Sequence, residues 1–192
     1  MEHKKVQKFL EIVGSIFIIL SIIEIAYIIL LNFAQFNLDG NSLLLFEFIY
    51  SATIIPISGT LLWFSLNISM FCFLILGIFM HKIASDKNIE SSPLAKFIVV
   101  IGMVLLLGGF VKMNYLVLLG KTHITTISGS VAFQTALFDF SITPITPAIF
   151  WTFFISVNTL ILLIGLTVTA IGIKSTLLQE QAKNPTQKSV KK

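Results

Sequence analysis

Two ionisable residues stand inside otherwise apolar runs, Glu24 in Phe9–Leu31 and Lys112 in Phe97–Leu119. A charge near the centre of a membrane helix costs about 2.5–3.5 kcal/mol on insertion scales, so each needs a reason to be there. Three chemistries suit them. They can form an internal salt bridge. Lys112 can instead snorkel to the outer interface while Glu24 is protonated or bonds Tyr27 or Ser21. Or they can serve a proton or ion path, or hold a polar ligand. Glu24 follows Phe9, and Lys112 follows Phe97, by the same fifteen residues. At 1.5 Å per residue both lie roughly 22 Å into their helices, and the equal depth predicts that they approach one another. Ser21, Asn32 and Gln35 near Glu24, and Asn114 and Tyr115 beside Lys112, give the pair a modest polar stripe. No second deep carboxylate accompanies them, nor any helix broken by proline at mid-membrane, as in many coupled carriers.

The remaining chemistry-bearing residues are sparse. Cys72 lies inside an apolar run and reads as a small buried hydrophobe. With one cysteine there is no intrachain disulfide, and no Cys/His spacing suggests a metal site. His3 is in the tail, His81 reads as an interfacial cap beside Lys82, and His123 follows the outer end of the third apolar run. His81 and His123 fall on opposite sides, which excludes a bis-histidine haem between them. Phosphate-loop, dinucleotide, zinc-hydrolase and serine-hydrolase motifs do not occur. Asn67-Ile68-Ser69 is formally a glycosylation sequon but lies within a span.

The elements that must position Glu24 and Lys112 follow from composition. Of the 192 residues, 56% are apolar and 11% charged, with a mean hydropathy of +0.95. A soluble domain is about 45–50% apolar and about 25% charged. These proportions exclude an ordinary cytosolic enzyme, a disordered segment and a nucleic-acid-binding domain. The fold class is all-α: a polytopic membrane protein, a four-transmembrane-helix bundle with short external amphipathic or re-entrant segments. Spans are expected at about 9–31, 59–80, 97–119 and 148–173, forming one domain over 1–178, with a polar cytoplasmic tail at 179–192. The first run is too long for the 7–15 apolar residues of a signal peptide and is expected to be retained.

Orientation comes from lysine. All thirteen cationic residues are Lys, and all but Lys112 and Lys121 precede span one, separate spans two and three, or follow span four. The positive-inside rule then places both termini in the cytoplasm of a multi-pass cell-membrane protein. Without arginine, the best bidentate phosphate binder is missing, and no nucleic-acid partner is expected.

External segments are expected at 32–58 and 120–147. A single helix from Leu43 to Met80 would measure about 55 Å, too long for a hydrocarbon core of about 30 Å. Pro56, Ser58 and Gly59 are the natural break, leaving Leu43–Ile55 as an interfacial or re-entrant helix. Val131–Phe140 reads as a short surface helix or strand. The Thr143–Pro144 and Thr146–Pro147 steps set an abrupt entry into span four. These two apolar segments either pack on each other as a small lid or cover a partner. Trp63 and Trp151 sit where interfacial belt aromatics belong.

Gly102 and Gly109, like Gly165 and Gly172, are seven residues apart. They are expected to give small faces for close helix packing, within the chain or against another subunit. Spans one–two and three–four share orientation and one intramembrane charge each, but no internal duplication is expected.

The function expected is that of a non-catalytic integral membrane subunit, or an assembly or stabilising component of a larger membrane complex. Small four-span subunits of respiratory complexes have the same general look. One alternative is a small channel or proton- or ion-coupled carrier using Glu24 and Lys112. The other is a quinone-linked membrane redox component. Other membrane subunits and lipids are the expected partners. No resident cofactor is expected, a quinone or structural lipid being the class such spans could hold.

Overall fold

A computed structural model describes residues 3–86, 91–127, 129–139 and 145–183. The elements are α1 (His3–Asn32), β1 (Gln35–Leu38), β2 (Asn41–Leu44), α2 (Leu45–Tyr50) and α3 (Ile57–Ser85). They continue as α4 (Ser91–Gly120), β3 (His123–Thr126), β4 (Gly129–Ala132), α5 (Phe133–Asp139) and α6 (Ile145–Lys183). Helices α1, α3, α4 and α6 are long and apolar enough to cross a bilayer, and the protein is a multi-pass helical membrane bundle. Helix α6 runs past Lys174 to Lys183, so the start of the polar tail is helical. Pro147 falls within the first turn of α6, where a missing N–H disrupts no helical bond.

The order helix–hairpin–short helix–helix occurs twice, and the second copy lies 88 residues after the first. His123 corresponds to Gln35, Phe133 to Leu45 and Ile145 to Ile57. In sequence the same offset superposes Gly14 on Gly102, Tyr27 on Tyr115, Pro56 on Pro144, Trp63 on Trp151 and Gly77 on Gly165. The expectation of no duplication is therefore corrected. Within the long helices many positions have exchanged one apolar residue for another, which keeps a lipid-facing helix intact while erasing its identities.

Packing repeats with the sequence. A Cβ on Gly14 would lie 2.7 Å from the backbone nitrogen of His81, and one on Gly102 would lie 2.5 Å from that of Thr169. Gly77 approaches the nitrogen of Ile18 as Gly165 approaches that of Leu106. Each half thus clamps its two long helices together at one glycine seam, the close backbone approach by which helices associate in lipid. All four expected packing glycines, Gly102, Gly109, Gly165 and Gly172, lie in the seam between α4 and α6.

At one end of the bundle the helices α1 and α4 begin and α3 and α6 run out. The hairpins and short helices close the other end. Leu43–Ile55 is not one helix as expected. Asp39 (φ +53) and Gly40 (φ +83) turn β1 into β2, an Asp-Gly turn whose twist matches the flanking strands. Glu47 accepts the Leu44 N–H and starts α2. Six residues, 51–56, then carry the chain to α3, which Pro56 caps. The segment 131–139 is likewise strand then helix, and Phe140 lies outside the described residues.

The two apolar segments pack on each other. Leu45, Phe48, Ile49 and Ile55 share one core with Phe133, Ala136 and Leu137. Phe48 and Phe133 approach at 6.2 Å between ring centroids. Trp63 and Trp151 are also buried in that core, 1% and 8% exposed, rather than sitting at a lipid–water belt. The cap above them supplies enough apolar side chains to enclose both indoles.

Candidate functional site

Glu24 on α1 and Lys112 on α4 meet in the centre of the bundle. The Lys112 Nζ donates to Glu24 Oε1 at 2.5 Å and to Oε2 at 2.6 Å. The two side chains are 1% and 0% exposed, so Lys112 turns inward and does not snorkel. Glu24 bonds Lys112 through both oxygens. The ammonium also stands 5.5 Å from the centroid of the Phe73 ring, within cation–π reach, and Phe73 leans on Phe17. Within hydrocarbon, such a charge-assisted pair satisfies two groups that would otherwise each be desolvated alone.

Glu24 and Lys112 are separated by 88 residues, so each occupies the other's position in the duplicated fold. A residue touches its own counterpart only beside the two-fold axis relating the halves. Asp39 Oδ2 accepts the N–H of Ile127, again 88 residues apart, at 2.9 Å. The two contacts mark one axis running along the bundle from its centre to the hairpin tips. Its direction is that of parallel repeats in membrane proteins.

Asn158 on α6 is fully buried, and it lies outside the polar stripe expected from the sequence. Gly109 faces Ile161 and Leu162, so one turn along the antiparallel pair Lys112 is level with Asn158. The Asn158 amide donates to the Phe154 carbonyl at 2.7 Å, while Oδ1 has no partner. Its sequence signal is an amide within an apolar span. Ser21 is buried on α1, and Asn32 leaves an unpartnered Oδ1 near the cap end of the same helix. His81, four residues before the end of α3, is tied to Ser15 of α1 through Nδ1 at 3.2 Å. His123 is exposed in β3, at the opposite end of the bundle from His81. Among the described residues, no three of His, Cys, Asp or Glu come together.

A groove of about 540 Å³ opens on the lipid-facing side between α3 and α4. Ser65, Ser69, Cys72 and Phe73 line it from α3, and Gly108 and Tyr115 from α4. Cys72 is exposed there, which corrects its reading as a buried hydrophobe. Phe73 is the floor, so the groove ends one ring away from Lys112. The corresponding positions between α6 and α1 carry Phe153, Val157, Leu160, Ile161, Leu20 and Tyr27. Tyr27 packs edge-on against Phe153 at 5.2 Å, whereas Ser65 holds the position of Phe153 beside Tyr115. At these positions one face carries bulky side chains, and on the related face smaller ones on α3 border a groove.

Fold and site define a class: a duplicated four-span helical membrane protein with a buried ion pair on its internal axis. No family model, no curated protein and no solved structure matches the chain.

Proposed function

We propose that the chain is a non-catalytic membrane component that receives a transmembrane helix of another subunit in the α3/α4 groove. Its lysine-rich end and both termini lie in the cytoplasm of the cell membrane, and its hairpin cap lies outside. The hollowing of one of two related faces carries this reading. Along α3 the groove runs from Ser65 to Phe79, about 21 Å at 1.5 Å per residue, or two thirds of a hydrocarbon core. Ser65, Ser69 and Cys72 follow i, i+4, i+7 spacing on one helix face, while Gly108 opposite takes the Phe73 ring against its backbone. Small residues so placed admit a neighbouring helix backbone, the main source of affinity between helices in lipid.

The reading is tested by native mass measurement of the protein drawn from its own membranes in mild detergent. The expected result is a stoichiometric second polypeptide that is lost when Ser69→Phe fills the groove and kept when Leu160→Ala trims the related face. A wild-type monomer carrying lipid alone would overturn it.

A further inference from the structure

We propose that Glu24 and Lys112 are a pairing code. They make the first half of the chain, α1 through α3, associate with the second half, α4 through α6, and reject like-with-like association. The inference concerns the internal axis and is independent of what occupies the groove.

A duplicated sequence faces a difficulty a unique one does not. Each half presents a surface shaped to receive a copy of itself, with glycine seams, hairpins and cap helices matching at an offset of 88 residues. During synthesis and in a crowded membrane, a first half could therefore meet the first half of a second chain. Exchange of an identical element between chains is a low-cost route to dimers. Specificity then needs a feature that is favourable in the wanted pairing and unfavourable in the others.

The best place for such a feature is on the axis, because only there does a residue confront its own counterpart. In the intended fold Glu24 faces Lys112, and both carboxylate oxygens accept from the ammonium. If two first halves associated, Glu24 would face Glu24. If two second halves did, Lys112 would face Lys112. Both arrangements would bury like charges in contact, with neither group exposed by more than 1%. Like charges in that setting oppose association strongly, whereas the wanted pair is neutral overall. The cap adds a second difference at the axis, an Asp39 carboxylate against the Ile127 N–H. Identities such as Tyr27/Tyr115 and Trp63/Trp151 do not discriminate between the halves, and the unequal α3/α4 and α1/α6 contacts carry no charge to add to the difference at the axis. A buried polar group fixing register and partner at some loss of stability is the role best attested for such groups.

The test uses the full-length chain in four forms, read by native mass and by monodispersity in mild detergent. E24K and K112E each place like charges on the axis, and each is expected to lose the monodisperse particle that holds one copy of this chain, with or without a groove partner. The exchanged variant E24K/K112E restores complementarity and is expected to recover it. The apolar variant E24L/K112L removes the code while leaving the shape, and is expected to give particles with two copies of this chain beside those with one. An E24L/K112L protein with one copy per particle, like wild type, would overturn the proposal. So would failure of the exchanged variant to recover the single-copy particle, or a well-behaved E24K. If E24L/K112L does not fold, E24Q/K112Q takes its place. Failure of both neutral variants beside a folded E24K/K112E would make the pair a requirement for folding rather than for partner choice, and would equally overturn it.

Discussion

The α1/α6 face and the α3/α4 face occupy the same place in the two halves, and they differ both in side chains and in helix spacing, α3 and α4 approaching one another more extensively than α1 and α6. On the first, Phe153 closes against Tyr27. On the second, Ser65, Ser69, Cys72 and Gly108 leave a groove beside Tyr115. A lipid-facing helix keeps its span through almost any apolar exchange, so bulk can be added or removed at one face without touching the fold. The axis between the halves has no such freedom, because a change there confronts its own counterpart. Variation at the periphery and opposition of charge at the centre are what distinguish two halves that share one backbone plan.

The largest expected effect lies at the centre. Glu24→Gln or Lys112→Met, each alone, leaves one buried group without its partner and should cost about 3–5 kcal/mol. The double replacement should cost less than the sum, since it removes both charges at once. Unfolding in detergent of the two single variants and the double variant measures the coupling, and strict additivity would break the pairing. Next come the seams. Gly14→Ala and Gly102→Ala put a Cβ 2.7 Å and 2.5 Å from a backbone nitrogen of the partner helix. Each should lose about 1–3 kcal/mol by forcing helices apart. Equal losses sharpen the symmetry, and a loss confined to one half would limit it.

Much of this arrangement is legible in the amino-acid sequence, and the parts that are not have physical reasons. Four apolar runs and the lysine distribution point to four spans because lipid excludes charge regardless of detail. The equal depth of Glu24 and Lys112 brings them together correctly, and it is itself a trace of the duplication, since Phe9 and Phe97 are counterparts too. The duplication itself is obscured because its distinctive identities are only two glycines, one proline and three aromatics, scattered within interchangeable Ile, Leu and Val. The first hairpin has a signal in Asp39-Gly40 between QFNL and NSLL, but the apolar content of the segment favours helix. The groove is not legible. Ser65, Ser69 and Cys72 acquire meaning only beside the bulk at their counterparts.

Smaller effects test the edited faces. Phe153→Ser copies the α3 residue into α6 and removes the ring that Tyr27 packs on, for an expected loss of about 1–2 kcal/mol, below that of a fully buried Phe. The reciprocal Ser65→Phe fills a space already open, so stability in detergent should hold or rise slightly. Thermal unfolding of both variants decides. A destabilising Ser65→Phe would mean that the closer approach of α3 and α4 leaves no room for a ring that α6 and α1 accept.

The smallest effect is expected at the hairpin tips. Asp39→Asn keeps a residue tolerated at φ +53 and keeps an oxygen able to accept the Ile127 N–H, but weakens a charge-assisted bond to a neutral one. The tip is exposed and water competes for both groups, so the change should be about 0.5–1.5 kcal/mol or less. Amide hydrogen exchange at Ile127 reads the contact more directly than global unfolding does. Faster exchange there, with protection in the glycine seams unchanged, would show that the tips close the axis locally while the helices hold it. Loss of protection in the seams as well would mean the cap and the ion pair stabilise the axis as one unit, and the centre and the rim could no longer be treated as separate devices.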